Sequence, residues 1–338
     1  MGISKNRQMN YEIEKIETKT TWDAQTAVGN VEVLVGISNI ETDASESVVQ
    51  GLYLTSSDAY AEPVLCAGIL DREGKEMDRI FPLPLESEMQ FCMRVEKPQL
   101  WNAEDPFCYQ MVLEIMEGEN FCQDRRVEPL AFRSWKIADG QTCINDRAVE
   151  FRAAALPDGM KEPEKILQFL QKMKQTWKNT LLVRTEENSS QLKKWCMEYG
   201  IYLLEEGKDV DVGWLRARLD QGCNTEKNPD FQLQVVQTGA LIENRSTFVN
   251  TSEYELHYEI LDSSGRKVSG NELCTEIPAG TSRFVDIPFK HPQEPGEYIY
   301  RVALCLKQDT VWAPQGYALA SAETKISNLY QRLENHDL

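Results

Sequence analysis

The stretch KEPEKILQFLQKMKQTWKNTLLVRTEENSSQLKKWCMEYGIYLLEE, residues 161–206, decides the fold class. Pro163 suits the first turn of a helix, where the N–H it lacks would have no partner. Ile166, Leu167, Phe169, Leu170, Met173 and Trp177 follow at helical spacing. Residues 180–183 then read as a fully buried strand of the parallel type. Asn188 or Ser189 can cap a second helix that carries Leu192, Trp195, Cys196 and Tyr199 on one face and ends at Gly200. Residues 201–204 are the next buried strand, and residues 212–219 read as a third helix. Repeated strand–helix units require parallel pairing with right-handed crossovers.

Outward from this stretch the pattern fails to continue. Alternating strand and helix occupy about 75 residues, 149–223, whereas a closed (β/α)8 barrel needs about 250. Catalytic groups of such barrels come from the ends of several different strands, so most places that would hold them are missing. On the N-terminal side, residues 10–137 are β-rich. Val31, Val33, Val35 and Ile37 make one apolar face, Tyr109, Met111, Leu113 and Ile115 repeat the period, and turn signals recur at Asp71 to Gly74 and Glu117-Gly118. A hairpin over residues 142–151 has its turn at Asn145-Asp146. On the C-terminal side, a polar linker (221–229) precedes a second set of alternating strands. Tyr254, Leu256, Tyr258 and Ile260 form one, and Tyr298, Tyr300, Val302, Leu304 and Leu306 another. Residues 326–338 read as a frayed helix. The expected fold is mainly β with a small α/β module. Two β-sandwiches (10–137 and 230–325) flank a truncated barrel-like segment of about three parallel strands (138–225).

The chain has 338 residues, 41% hydrophobic, and a net charge of -18. An acidic surface disfavours nucleic acid and anionic membranes, both of which need clustered Lys and Arg. The N-terminal residues are polar with no apolar stretch behind them, so no signal peptide is expected. Gly2 lacks the Ser or Thr that myristoylation wants, because Asn6 stands there. No run approaches the ~18 apolar residues of a membrane span. Nine scattered cysteines without a CxxC motif suggest a reduced, cytoplasmic chain. Only three histidines are present, and none lies beside a cysteine pair, so no zinc site or other cofactor is expected.

Several strings resemble glycoside hydrolase family 2, the β-galactosidase family. Residues 98–109 (PQLWNAEDPFCY) resemble the end of its immunoglobulin-like domain. Leu130 to Arg133, Ile137 to Gly140 and Ile144 to Arg147 resemble its lead into the barrel. Lys172 to Gln175, Val183-Arg184-Thr185 and Tyr199 to Glu206 follow its first barrel strands in order. Ile242 to Phe248, Leu261 to Gly265, Pro278 to Gly280 and Thr310 to Tyr317 resemble the sandwich that follows the barrel in long β-galactosidases. The resemblance implies two immunoglobulin-like β-sandwiches around a truncated (β/α) barrel remnant.

The resemblance also locates what this chain lacks. A retaining glycosidase needs two carboxyl groups ~5–5.5 Å apart, and the family takes both from later barrel strands, one of them in an Asn-Glu motif. Here the late Asn-Glu match is Asn271-Glu272, in the second sandwich. The family's Arg-Gly-x-Asn-x-His run is Arg152-Ala-Ala-Ala-Leu-Pro157, a further family His is Glu186, and two magnesium ligands are Val210 and Val212. Arg184, Glu205 and Glu206 remain as a possible vestigial sugar-facing site, with an ion pair at strand ends as the plainer reading. Adjacent glutamates on a strand point to opposite faces, so these two alone make no catalytic pair. His257, His291 and His336 read as surface, loop and tail residues. Trp101 and Trp312 read as core, and Trp177, Trp195 and Trp214 as helix packing.

The expected function is a non-catalytic, β-galactosidase-like binding or assembly module whose partner is a carbohydrate or another protein subunit. The enzymatic alternative is one piece of a family 2 hydrolase, cleaving O-glycosidic bonds when a partner chain supplies the carboxylates. A retained structural module is the third reading. Three parallel strands cannot close, so the open edge is expected to be covered by the sandwiches, a second copy or another chain.

Overall fold

The computed structural model describes residues 8–42, 62–117, 121–138, 140–184, 189–205 and 228–328. The chain forms two compact units. The first comprises the residues up to Asn102 together with Phe107–Asp146, and the second comprises Ala103–Pro106 and the chain from Arg147 onward. Among the described residues no helix is long and apolar enough to cross a membrane.

In the first unit, β1 (Gln8–Asp23) and β2 (Val28–Thr42) are antiparallel neighbours, joined by a turn in which Ala27 takes a φ of 55°. β3 (Val64–Leu70), β4 (Glu76–Pro84), β5 (Glu88–Glu96), β6 (Tyr109–Glu117) and β7 (Phe121–Leu130) complete two sheets, ordered β1-β2-β5 and β4-β3-β6-β7. Alternation decides which side chains meet. Val31, Val33 and Val35 of one sheet and Leu65, Ile69, Met111, Leu113 and Ile115 of the other share one core. Gly29 is where the Phe132 ring crosses the sheet, and a Cβ there would lie 2.5 Å from the ring. Trp101 is fully buried under the Arg133 guanidinium, 4.6 Å from the ring centroid.

β8 (Trp135–Ala138), β9 (Gln141–Ile144) and β10 (Arg147–Ala148) make a small separate sheet. The turn between β9 and β10 falls at Asn145-Asp146, as the sequence predicts, and both residues have positive φ, 49° and 65°. That is the left-handed pair a two-residue hairpin needs, and Asn and Asp tolerate it best after Gly. The second arm ends at Ala148, short of the expected residue 151, because Arg152 and Glu150 are engaged elsewhere. β8 had no sequence signal: it carries Trp135 and Ile137 exposed on an open face.

In the second unit, β11 (Ala153–Ala155), α1 (Pro163–Gln175), β12 (Thr180–Val183), α2 (Ser190–Tyr199) and β13 (Tyr202–Glu205) form a three-stranded parallel sheet, ordered β11-β12-β13. Pro163 opens α1, as expected. Ser189 caps α2 through its hydroxyl, which accepts from Leu192 N at 3.1 Å. Gly200 closes α2 in the left-handed conformation, φ 65°. Leu181 and Val183 pack on Ile166, Leu170, Leu192 and Cys196 of the helices. Leu182 and Leu204 pack with Ala153 and Phe151 on the opposite face. The expected third helix, 212–219, lies outside the described residues.

A second pair of sheets completes this unit. β14 (Phe231–Val236), β15 (Gly239–Asn244) and β18 (Thr281–Asp286) form one. β16 (Tyr254–Asp262), β17 (Lys267–Leu273), β19 (Gly296–Leu306) and β20 (Ala318–Asn328) form the other, in the order β17-β16-β19-β20. Leu233 and Ile242 meet Leu256, Ile260, Tyr300 and Val302 in a common core. The helix expected from residue 326 is corrected over its described part. Ile326 to Asn328 finish β20, where Ile326 pairs with Tyr298 and continues the strand alternation. The rest of that tail is outside the described residues. The eight described cysteines are all unbridged.

Candidate functional site at the parallel sheet

The C-terminal ends of β11, β12 and β13 are where a barrel strand would present its chemistry. The chain leaves β11 through Leu156, whose N–H donates to Leu182 O at 2.9 Å. Arg184 follows β12 directly. Its guanidinium reaches the Asp158 carboxylate at 3.1 Å, and both side chains are largely exposed. Glu205 ends β13 opposite Val183 and is buried, at 8% exposure. Glu205 follows Leu203 by two positions, so alternation sets it on the helix-facing side with Leu203 and Val183. The opposite face is carried by Leu182, Leu204 and Tyr202. Glu206 and Glu186 lie outside the described residues. The positions that the resemblance assigns to magnesium carry Val210 and Val212, whose side chains offer no oxygen to a hard cation.

The polar chemistry of this module concentrates at the other end of the strands. Arg152, the retained arginine of the altered family run, makes a bidentate pair with Asp230 at 3.0 and 2.8 Å. Its Nε donates to Trp177 O at 2.7 Å. Asn179 ties the strand starts together: its Oδ1 accepts from Arg152 N at 2.8 Å and its Nδ2 donates to Glu150 O at 2.9 Å. Lys174 of α1 donates to Ala103 O at 2.9 Å and to Gly200 O at 3.2 Å. Its Nζ lies 5.9 Å from the Trp312 ring centroid. Burial of the ammonium, with Arg152 nearby, lowers its pKa to about 8, against the pull of Asp230 and Glu104.

Glu104 belongs to this unit through the short segment Ala103–Pro106. Its carboxylate accepts from three consecutive backbone amides: Thr247 at 2.8 Å, Phe248 at 2.7 Å and Val249 at 3.3 Å. Burial nevertheless holds its pKa above the ordinary range, outweighing those amides, with Asp230 adding to the rise. Ala103 N donates to Tyr202 Oη at 3.3 Å. Two cations and two anions thus sit together with nearly every donor and acceptor satisfied, the arrangement in which buried charge is tolerated. A signal for Lys174 was present. It falls four residues after Leu170, inside the apolar stripe of the helix, where a charge needs a partner.

The remaining candidates fall into place separately. His291 Nδ1 is 2.7 Å from Tyr300 Oη. Trp101 is core, whereas Trp312 is only half-buried and meets Tyr317 edge-on at 5.4 Å. Asn271-Glu272 lies on β17, within the second sandwich, with Glu272 directly opposite His257. Among the described residues, one group of three side chains could converge on a metal: Glu255, His257 and Glu272.

In sequence order, a pair of β-sheets, a small parallel α/β segment and a second pair of β-sheets follow one another, a mainly β architecture. Residues 11–133 match the family model described as glycosyl hydrolases family 2, and residues 240–327 match the one described as β-galactosidase, domain 4. Over these two segments the chain resembles glycoside hydrolase family 2. The parallel sheet falls between the two matched spans. The β-galactosidase of Clostridium acetobutylicum is 27% identical over 108 residues, which is 32% of this chain and 12% of that protein. That of Halalkalibacterium halodurans is 21% identical over 178 residues, 50% of this chain and 18% of the relative. That of Yersinia pestis is 22% identical over 208 residues, 57% and 19% respectively. The chain therefore spans less than a fifth of the length of each of these curated relatives. A solved structure described as apo β-glucuronidase 3 of Bacteroides uniformis aligns with a TM-score of 0.45 and 17% identity, covering 58% of this chain and 23% of that one.

Proposed function

We propose that this chain is a non-catalytic, β-galactosidase-like protein that serves as a carbohydrate-binding or assembly module. In this reading residues 10–137 and 230–325 are immunoglobulin-like sandwiches, and 138–225 is a remnant of a (β/α) barrel reused as a spacer, in a cytoplasmic protein. The observation that supports it is the state of the strand ends. Arg184 is engaged by exposed Asp158, and Glu205 is buried on the helix-facing side. The face that would turn toward a substrate carries Leu182, Leu204 and Ala153 of β11. Arg184, Glu205 and Glu206 are then vestiges of a sugar-facing site. The partner is a carbohydrate, a second copy or a separate subunit at the open edge of the parallel sheet.

The enzymatic reading has its own support. The relatives are described as β-galactosidases, and each is far longer than the span matched here. A partner chain carrying later strands would then supply both carboxylates. Purified chain incubated with a chromogenic β-galactoside separates the two: the proposal expects turnover no greater than buffer, and turnover abolished by an active-site inhibitor would overturn it. Light scattering tests the association part, which expects a mass above that of one chain.

A further inference from the structure

We propose that Glu255, His257 and Glu272 bind one divalent transition-metal cation of the zinc class on the outer face of the second sandwich. Glu255 and His257 are two residues apart on β16 and therefore share a face, while Leu256, Tyr258 and Ile260 turn into the core. Glu272 sits directly across from His257 on β17. His257 Nε2 lies 3.4 Å from Glu255 Oε2 and 3.6 Å from Glu272 Oε2, and all three donor atoms fall within 4.8 Å of one another. Donors bound tetrahedrally at ~2.0–2.2 Å from zinc are themselves about 3.3–3.6 Å apart. Both His257–carboxylate separations already match that spacing, and the two carboxylates lie within 4.8 Å of each other.

The charges around the cluster point the same way. Glu259 continues the same face of β16, and it is answered by Arg301 at 3.1 Å, which also reaches Glu323 at 3.2 Å. Among the described residues no Lys or Arg pairs with Glu255 or Glu272; their partner is His257, which is a cation only when protonated. Two carboxylates thus converge on an imidazole where a bound dication would balance them. An imidazole donor favours zinc, nickel or copper over magnesium and calcium, which take oxygen ligands. β16 is held on both sides by β17 and β19, so two of the donors stand on a central strand.

The test is zinc chloride added to the full chain, followed by histidine-selective NMR. This readout distinguishes the site from zinc taken up by the exposed thiols Cys92 and Cys274. One equivalent should shift the His257 ring signals and leave those of His291 in place, while magnesium chloride shifts neither. His257→Ala should abolish that binding event. Glu272→Gln, which preserves shape, should weaken it tenfold or more, since even outer-shell changes cost ~10–100-fold in metal affinity. Zinc that leaves His257 unshifted, or binding that is unchanged in Glu272→Gln, would overturn the proposal.

Discussion

Replacing Lys174 with methionine should reshape the pH dependence of stability in the second unit. The folded protein holds this ammonium at a pKa of about 8, against 10.5 for the ordinary lysine. Between those values the unfolded chain still carries a proton that the folded chain has released, so folding gains as pH rises through the window. Below pH 8 both states are protonated and the desolvation cost is present in full. Each pKa unit corresponds to about 1.4 kcal/mol, so the whole window is worth up to about 3 kcal/mol. Methionine fills a similar volume without titrating. The difference in unfolding free energy, wild type minus Lys174→Met, should therefore climb with a slope approaching 1.4 kcal/mol per pH unit above pH 8. Urea unfolding followed by far-UV circular dichroism at pH 7, 8, 9 and 10 measures it. Cys66, Cys122 and Cys305, whose thiols burial raises to about 11, also titrate in the alkaline range, but both proteins contain them and the difference cancels their effect. Parallel profiles across the four pH values would refute the buried-ammonium reading.

Two further substitutions test the same region. Glu104→Gln keeps the shape but sets an amide N–H₂ against the amides of Thr247 to Val249. It should cost about 2 kcal/mol, seen as a lower urea midpoint with an unchanged m-value. Gly200→Ala places a Cβ 2.6 Å from Ala103 O at a residue held at φ 65°. It should cost more than the ~1 kcal/mol of a left-handed alanine alone, read as a fall in melting temperature.

The sequence made the parallel module legible because its signals were local. Pro163, Ser189 and Gly200 each act within one helical turn, and all three stand where the spacing put them. The last strand shifted by only one residue, to Tyr202–Glu205. Longer-range features escaped. Nothing near Asp230 in sequence announces Arg152, and nothing near Glu104 announces the amides of Thr247 to Val249. β8 was missed because Trp135 and Ile137 face outward, leaving no buried stripe to detect. The helix assigned to the tail failed where cross-strand pairing extended β20 to Asn328. The candidate site followed the same division. The position of Arg184 at a strand end was readable, but its partner Asp158 was not, because an exposed ion pair imposes no sequence period.

The segment Ala103–Pro106 carries a consequence for the order of folding. It is made early, with most of the first sandwich, yet the amides that bind Glu104 lie more than 140 positions later in the chain. On the ribosome these four residues emerge long before their partners exist, at a synthesis rate of ~5–20 residues per second. The second unit therefore cannot reach its final hydrogen bonding by closing on its own contiguous stretch. It must also recruit a segment made more than 140 residues earlier. A protein assembled from residue 147 onward would leave Thr247, Phe248 and Val249 without their carboxylate, and adding the Ala103–Pro106 segment as a separate peptide should restore part of what was lost.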